Sequence, residues 1–227
     1  RRQRQMCIRD RLLSLNSTVW GQTNEVKAYF QVGDNALHGI YGGFSGFYTR
    51  NFSDRLSLTG GLNLSTKNPQ AFGGLYADGT YRFSVYKFNV YISNRLVYNY
   101  YGLSKMNELL YRIAGTWESR YFNLTLGNSF LGYFSKGSGN FEPVTLSVAM
   151  GLHLRPRENW WNVGLFIRNF DDFIYENYNI MYGVDGRIDV AKHWRILAEF
   201  TARPAGSMNQ LAMKYETFFK LGARYKW

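Results

Sequence analysis

The stretch that decides the fold is MKYETFFKLGARYKW, residues 213–227, in which charge alternates with position. The charged side chains all share one parity: Lys214, Glu216, Lys220, Arg224 and Lys226. The other parity is uncharged from Met213 to Trp227. Successive side chains of a β-strand point to opposite faces. A period of two over this length therefore predicts a strand with one charged and one uncharged face.

The same alternation recurs along the chain, and after Thr23 no helix-length pattern replaces it. In VTLSVAMGLHLR, residues 144–155, apolar side chains from Val144 to Leu154 alternate with small, polar or basic ones. Segments of this kind predict about twelve strands. They lie near residues 24–32, 39–50, 54–65, 74–86, 88–100, 108–118, 121–134, 143–155, 160–169, 177–190, 194–203 and 211–227. The four prolines fall between predicted strands, where a missing N–H does no damage: Pro69, Pro143, Pro156 and Pro204.

The connections between predicted strands alternate in length. The short ones read RNFSD, YKF, ESR, RPRENW and AKHW, and the longer, more polar ones include TKNPQAFGG and DDFIYENYN. This alternation predicts an up-and-down antiparallel meander with the tight turns and both termini at one end. Counting outward from the tight turns places Asp78 opposite Arg95, and Asp189 opposite Arg195.

Two architectures use this alternation. A soluble β-sandwich or lipocalin-like barrel points the apolar face inward, whereas a transmembrane barrel points it to lipid. Strand length favours the membrane, because about 9–11 residues cross a bilayer when the strand is tilted. Tryptophan placement also favours it, since an aromatic girdle marks the membrane interface. Five tryptophans lie at the short-turn ends of predicted strands: Trp117, Trp160, Trp161, Trp194 and Trp227.

The first 21 residues differ from the rest. RRQRQMCIRDR, residues 1–11, is arginine-rich, holds the single cysteine and is typical of non-native sequence. LLSLNSTVWGQ, residues 12–22, is typical of the end of a secretion signal, with Val19 and Gly21 at positions −3 and −1 before a cleavage site. A basic leader fused to an ordinary strand is the alternative. We interpret residues 1–21 as a non-native leader and signal-peptide remnant, and residues 22–227 as one barrel domain.

Residues 22–227 resemble a Gram-negative outer-membrane β-barrel with porin-like architecture, and the terminal FFKLGARYKW carries this resemblance most directly. In that family the last strand ends in an aromatic residue, which the barrel-assembly machinery reads as an insertion signal. The resemblance implies an outer-membrane location, a lipid bilayer as partner and termini on the periplasmic side. It also implies that Trp227, Tyr225 and Leu221 face lipid.

The charged parity would then line the lumen. The predicted cationic residues are Arg82, Arg95, Arg112, Arg168, Arg187, Arg195, Arg203, Lys214, Lys220 and Arg224. The predicted acidic residues include Asp78, Asp185, Glu199 and Glu216. A surplus of cations in a water-filled lumen favours anions, which predicts a small channel for anionic or polar solutes. The alternative is a closed barrel whose inner charges pair with one another and which acts as scaffold, receptor or partner subunit through its loops. The loop DDFIYENYN suits either a contact surface or a lid.

Signals for other functions are weak. The formal net charge of +11 falls to +7 without the five Arg and one Asp of the leader. The lumen and the turns account for this basicity, and no nucleic-acid module is found. His153 falls on the lumen parity and His193 in a tight turn, so only His38 with the loop acids Asp171 and Asp172 offers a hydrolase-like group. No metal-ligand cluster or cofactor motif is found, so we predict a protein without catalytic residues, metal or cofactor, with an outer-membrane hydrolase as the weakest alternative.

Overall fold

Twelve β-strands make up most of the chain that the structure describes. The computed structural model describes residues 23–35, 39–66, 72–86, 88–102, 105–135, 137–156, 159–173, 180–204 and 215–227. The strands are β1 (Thr23–Asn35), β2 (Gly39–Asn51), β3 (Leu56–Ser65), β4 (Phe72–Val85), β5 (Phe88–Tyr101), β6 (Met106–Glu118), β7 (Phe122–Ser135), β8 (Ser138–His153), β9 (Trp161–Arg168), β10 (Met181–Asp189), β11 (Trp194–Arg203) and β12 (Glu216–Lys226). None of these residues forms a helix long and apolar enough to cross a membrane.

The strands close into one barrel in chain order. Each strand pairs antiparallel with the next, and β1 pairs with β12 to complete the ring. The closing register runs from Glu25 opposite Lys226 to Asn35 opposite Glu216. Two backbone hydrogen bonds between Asn24 and Trp227, 2.9 and 3.0 Å long, extend this seam to the last residue. A closed ladder leaves no unpaired strand edge, which a β-sheet requires inside hydrocarbon.

The apolar parity of the strands lies on the outside of the barrel. Phe30 on β1 and Leu58 on β3 are 69% and 51% exposed. The other parity lies inside, where Asp78, Arg112 and Glu216 are only 4, 2 and 4% exposed. A soluble barrel would show the reverse, because soluble monomers do not expose a continuous apolar belt. The soluble alternative is therefore wrong, and the outer surface suits lipid.

The predicted strands and topology are confirmed. All twelve predicted strands are present, and they follow one another around the barrel as an up-and-down meander. The two predicted cross-strand pairs are confirmed as well, since Asp78 lies opposite Arg95 and Asp189 opposite Arg195. Tyr86, which follows β4, has a φ of 55°, the left-handed conformation that tight hairpin turns require.

One proline departs from the prediction. Pro143 was expected between strands but falls inside β8. It lies opposite a shift in the pairing of β7 with β8, between Ser129 and Leu131, where β8 carries an extra residue. A bulge tolerates proline because the hydrogen-bond ladder is interrupted there.

Apolar side chains fill part of the barrel interior, which the sequence analysis did not anticipate. Val97, Leu110 and Leu131 point inward from three neighbouring strands and are 0, 1 and 3% exposed. They belong to one buried cluster, here called the apolar cluster: Phe47, Tyr76, Val97, Leu110, Leu131 and Phe173. Five members come from strands, and Phe173 comes from the connection after β9. The inner face is therefore charged at some levels and apolar at another.

Candidate functional site

Charged side chains from most strands meet inside the barrel and form ion pairs. Arg95 Nε lies 2.9 Å from Asp78 Oδ2, and Arg203 Nη1 lies 3.0 Å from Glu216 Oε2. Other inner side chains pair as follows: Arg168 with Glu199, Arg195 with Asp189, and Arg224 with Glu25. An arginine paired with a carboxylate inside a protein offers little net charge to a solute. Many of the predicted arginines are therefore not free cations.

A short segment after β9 folds into the barrel and joins these ion pairs. It comprises residues 169–173 and is here called the inward segment. Its Asp171 lies 2.5 Å from Lys220 Nζ on β12, and its Asp172 lies 3.8 Å from Arg95 on β5, across the lumen. The sequence analysis expected this loop to be a contact surface or lid. The structure places its first three residues inside the barrel. Residues 174–179 lie outside the described part of the chain, so the contact surface or lid stays a prediction.

Phe173 anchors the inward segment. Asn99 Nδ2 donates a 2.8 Å hydrogen bond to the carbonyl oxygen of Phe173 and a 2.7 Å bond to Glu108 Oε1. The Phe173 ring centroid lies 5.6 Å from the rings of both Phe47 and Tyr76. Full burial of an aromatic ring stabilises a fold by about 1.5–3 kcal/mol. The segment is thus a packed part of the barrel interior.

The Asp171 carboxyl is held ionised inside the barrel. Burial opposes its charge, but Lys220 and Arg168, 2.5 and 3.4 Å away, outweigh burial and keep the pKa of Asp171 below its ordinary value. Lys220 Nζ also lies 3.7 Å from Glu199 on β11. One ammonium group therefore connects the inward segment to two neighbouring strands.

A narrow cavity lies beside the inward segment. The cavity measures about 30 Å³. Roughly 10–15 Å³ of free volume admits one water, so the cavity has room for only a few waters. Its lining mixes cations, carboxylates and neutral polar groups: Gln31, Tyr41, Asp171, Asp172, Arg203, Glu216 and Lys220. Tyr41 Oη donates a 2.6 Å hydrogen bond to Glu216 Oε1, which fixes one wall of the cavity.

Arg112 is buried without a carboxylate at ion-pair distance among the described residues. It is 2% exposed, and neither its Nε nor its Nη1 has a hydrogen-bond partner in the described part of the chain. The Phe170 ring of the inward segment covers the guanidinium, with 3.8 Å between Cζ and the ring centroid. The cross-strand neighbours of Arg112 are Arg95 on β5 and Ser129 on β7.

Three of the other predicted lumen residues are described by the structure, and one, Lys214, is not. Arg82 is exposed, and its Nη2 donates a 3.1 Å hydrogen bond to Asn89 Oδ1. Asp185 and Arg187 lie on the inner parity of β10, opposite Glu199 and Leu197 of β11. Lys214 lies outside the described residues, so its place in the lumen stays a prediction.

Sequence reasoning missed three carboxylates that lie inside the barrel. Glu108 shares its strand parity with Arg112, so the alternation itself was a usable signal for it. Asp171 and Asp172 belong to a connection, where no periodicity exists to show which way a side chain points. Together they offset part of the predicted surplus of positive charge.

The structure describes two of the histidines, His153 and His193. His153 lies on the inner face, with its Nε2 3.4 Å from Asn123 Nδ2. A Cβ on Gly164 would lie 2.8 Å from His153 Nδ1 and 2.5 Å from Asp185 Oδ1, so glycine leaves the space into which both side chains reach. The predicted grouping of His38 with the loop acids lies outside the described residues, because His38 is not described. Among the described residues, no three metal-ligating side chains group together.

The predicted girdle tryptophans lie at one end of the barrel. They are found where β6 and β12 end and where β9 and β11 begin: Trp117, Trp160, Trp161, Trp194 and Trp227. Trp194, Tyr225 and Trp227 contact in series, with centroid distances of 4.8 and 5.5 Å. Four of them are 40–62% exposed, and Trp161 is partly buried. Their shared position at the short-turn ends of strands is typical of an interfacial girdle, which stays a prediction.

A closed, antiparallel twelve-strand barrel with an apolar exterior and a charged interior is a β-barrel of the bacterial outer-membrane type. Solved structures share this fold. The KdgM porin in complex with disordered oligogalacturonate has a TM-score of 0.58 and 11% identity, and the match covers 88% of this chain and 98% of that one. An outer membrane channel from Pseudomonas putida has a TM-score of 0.55 and 11% identity, over 90% and 94% of the two chains. An active-site mutant of outer-membrane phospholipase A from Escherichia coli has a TM-score of 0.52 and 8% identity, over 92% and 93%.

These similarities define the fold and leave the activity open. No protein-family model and no curated protein matches the sequence. A porin, a channel and an enzyme share the architecture at identities of 8–11%, so no residue role transfers from them. The channel and the phospholipase are outer-membrane proteins, and the predicted outer-membrane location agrees with them. Recognition by the assembly machinery and periplasmic termini stay predictions.

Proposed function

We propose that the chain is a narrow outer-membrane channel for small anionic or polar solutes. The observation that carries this proposal is the charged cavity inside the closed barrel, which Lys220, Arg203 and the inward segment line. A porin and a channel among the fold neighbours support transport. Twelve strands lie between the roughly eight that side chains fill and the roughly sixteen that enclose an aqueous channel, which fits a small solute.

Anion preference in this proposal rests chiefly on Arg112. Arg95, Arg168 and Arg203 are each paired with a carboxylate, whereas Arg112 has none at ion-pair distance in the described residues. Fixed positive charge in a pore raises the local anion concentration. Because inner carboxylates offset most other cations, we expect a modest preference for anions.

A closed barrel that serves as scaffold or receptor is the second candidate. The apolar cluster favours it, since Leu110 and Phe173 pack across the interior at 1 and 5% exposure. A non-enzymatic role is part of both candidates. Among the described strand residues the one histidine, His153, points inward, so no Ser–His pair faces the lipid as an outer-membrane lipase would need.

Single-channel recording of the refolded protein in planar bilayers tests the proposal. We expect small, discrete conductance steps and a reversal potential in a salt gradient that shows anion preference. Arg112→Gln should move the reversal potential toward cation preference. Arg195→Gln is the matched control, because it removes the same charge at the pair with Asp189 near the short turn, away from Arg112 and the inward segment. Repeated reconstitutions without current would reject the channel and favour the closed barrel.

A further inference from the structure

Arg112 carries a charge inside the barrel that no neighbouring carboxylate compensates by direct contact. Its guanidinium is almost fully covered, yet two of its nitrogens have no hydrogen-bond partner in the described residues. Proteins rarely bury a cation without pairing it, because the loss of hydration must be compensated by an opposite charge or by acceptors. The ring of Phe170 covers only the guanidinium face. The N–H groups of Nε and Nη1 remain without acceptors in the described part of the chain.

The neighbouring arginine makes this imbalance clearer. Arg95 is the direct cross-strand partner of Arg112, and like charges in directly opposite positions destabilise a sheet. Arg95 is compensated by Asp78 at 2.9 Å and Asp172 at 3.8 Å. Arg112 has neither carboxylate within 4 Å. The two carboxylates balance the two arginines in number, but both lie at Arg95, so Nε and Nη1 of Arg112 have no acceptor of their own among the described residues.

Hydroxyl groups lie on the other side of Arg112. Ser129 is its cross-strand partner on β7, and Ser129 Oγ lies 2.5 Å from Ser147 Oγ on β8. Both serines are 0% exposed. Hydroxyl groups donate hydrogen bonds to anions as readily as they accept them from cations. Cation and hydroxyl groups therefore occupy adjacent positions on the same inner wall.

We propose that Arg112 is an internal anion site, which takes a small monovalent anion or the carboxylate end of a solute at Nε and Nη1. The Ser129–Ser147 pair lies beside this site, and the ring of Phe170 covers the face of the guanidinium. The near-complete burial of Arg112 restricts the occupant to a halide-sized ion or a single carboxylate group. This inference deepens the proposed function. It rests on that function in one respect, because anions must reach the lumen in order to bind Arg112.

Unfolding of the refolded barrel in detergent tests the site without any measurement of current. The fraction of heat-modified protein on gels gives the unfolding midpoint in sodium chloride, sodium acetate or sodium sulfate at matched ionic strength. We expect a saturable rise of about 2–4 °C with chloride, since a ligand that binds only the folded state stabilises it. The same rise with acetate would extend the site to carboxylates, whereas bulky sulfate should have no more than a screening effect.

Two variants decide which residue is responsible. Arg112→Gln should abolish the chloride response, and Arg195→Gln should keep it. An equal response in wild type and Arg112→Gln, or no response in wild type, would overturn the inference. If Arg112→Gln does not fold, chloride NMR on the wild-type barrel provides the test. The chloride line should broaden when chloride binds, and acetate should reverse the broadening. Absence of broadening would count against the site.

The outcomes separate this inference from the proposed function. A chloride response lost in Arg112→Gln together with a barrel that passes no current would keep the anion site and reject the channel. A conducting, anion-preferring barrel whose stability ignores chloride would keep the channel and reject the site.

Discussion

Lys220 on the last strand lies 2.5 Å from Asp171 of the inward segment, and this contact joins the barrel wall to the segment that narrows its lumen. The ammonium comes from the same charged parity of β12 that makes the terminal sequence alternate. It is buried, and Glu199 lies 3.7 Å away on the neighbouring strand. The charged face of β12 therefore faces the lumen and also anchors the segment that narrows it.

Neutralising Asp171 should loosen the inward segment. Asp171→Asn keeps the shape of the side chain but removes its charge from Lys220 and Arg168, and breaking a buried ion pair costs roughly 3–5 kcal/mol. We expect larger or more fluctuating single-channel conductance than in wild type. Asp189→Asn is the control, because its pair with Arg195 lies near the short turn, away from the segment. Identical conductance in wild type and Asp171→Asn would show that the segment does not limit the pore.

The Asp171 pair should resist mild acid. Because the pKa of Asp171 is lowered in the folded barrel, its contribution to stability is complete above the ordinary Asp pKa of about 3.9 and is lost only as pH falls through the lower folded value. The stability difference between wild type and Asp171→Asn should therefore stay constant from about pH 7 to about pH 5. It should shrink below about pH 4, as measured by urea unfolding. A difference that disappears between about pH 7 and about pH 5 would contradict the paired geometry.

Adjacent positions on β5 should respond oppositely to a charge. Ile92 is 42% exposed on the outer face, and Ser93 points inward. Ile92→Arg should cost ~2–4 kcal/mol if the position lies near the bilayer midplane, because a guanidinium there meets hydrocarbon. Ser93→Arg should cost much less, since its side chain enters the lumen. Refolding into lipid vesicles followed by urea titration measures both, and equal losses would mean that the two faces are exchanged.

The alternation of polar and apolar residues predicts only part of this structure. It assigns a side chain to a face, so it correctly predicted that Asp78 meets Arg95 across the 86–87 turn. The alternation does not show whether the inner face is hydrated or packed with apolar side chains. Val97 and Leu110 interrupt the polar parity in the middle of their strands, and the sequence analysis missed the apolar cluster that they form.

The inward segment lay beyond sequence reasoning for a different reason. Asp171 and Phe173 belong to a connection, where no repeat fixes direction, and acids in loops are ordinarily solvated. Their placement depends on Lys220, 49 residues further along the chain, and on the ring of Phe47. Such contacts follow from barrel closure, which brings β2 and β12 near β9 only once all strands are paired.

The tryptophans at the short-turn end should lie at the membrane interface. Trp194 is 49% exposed and contacts Tyr225 at 4.8 Å, and an exposed amphipathic ring prefers the headgroup level over the hydrocarbon centre. Lipids brominated near the headgroup should quench its fluorescence more than lipids brominated near the chain ends. The difference between wild type and Trp194→Phe isolates this ring, and Ile92→Trp supplies a marker expected deeper in the bilayer. If Trp194 and the Ile92→Trp marker are quenched alike by both lipids, the tryptophans do not form an interfacial girdle.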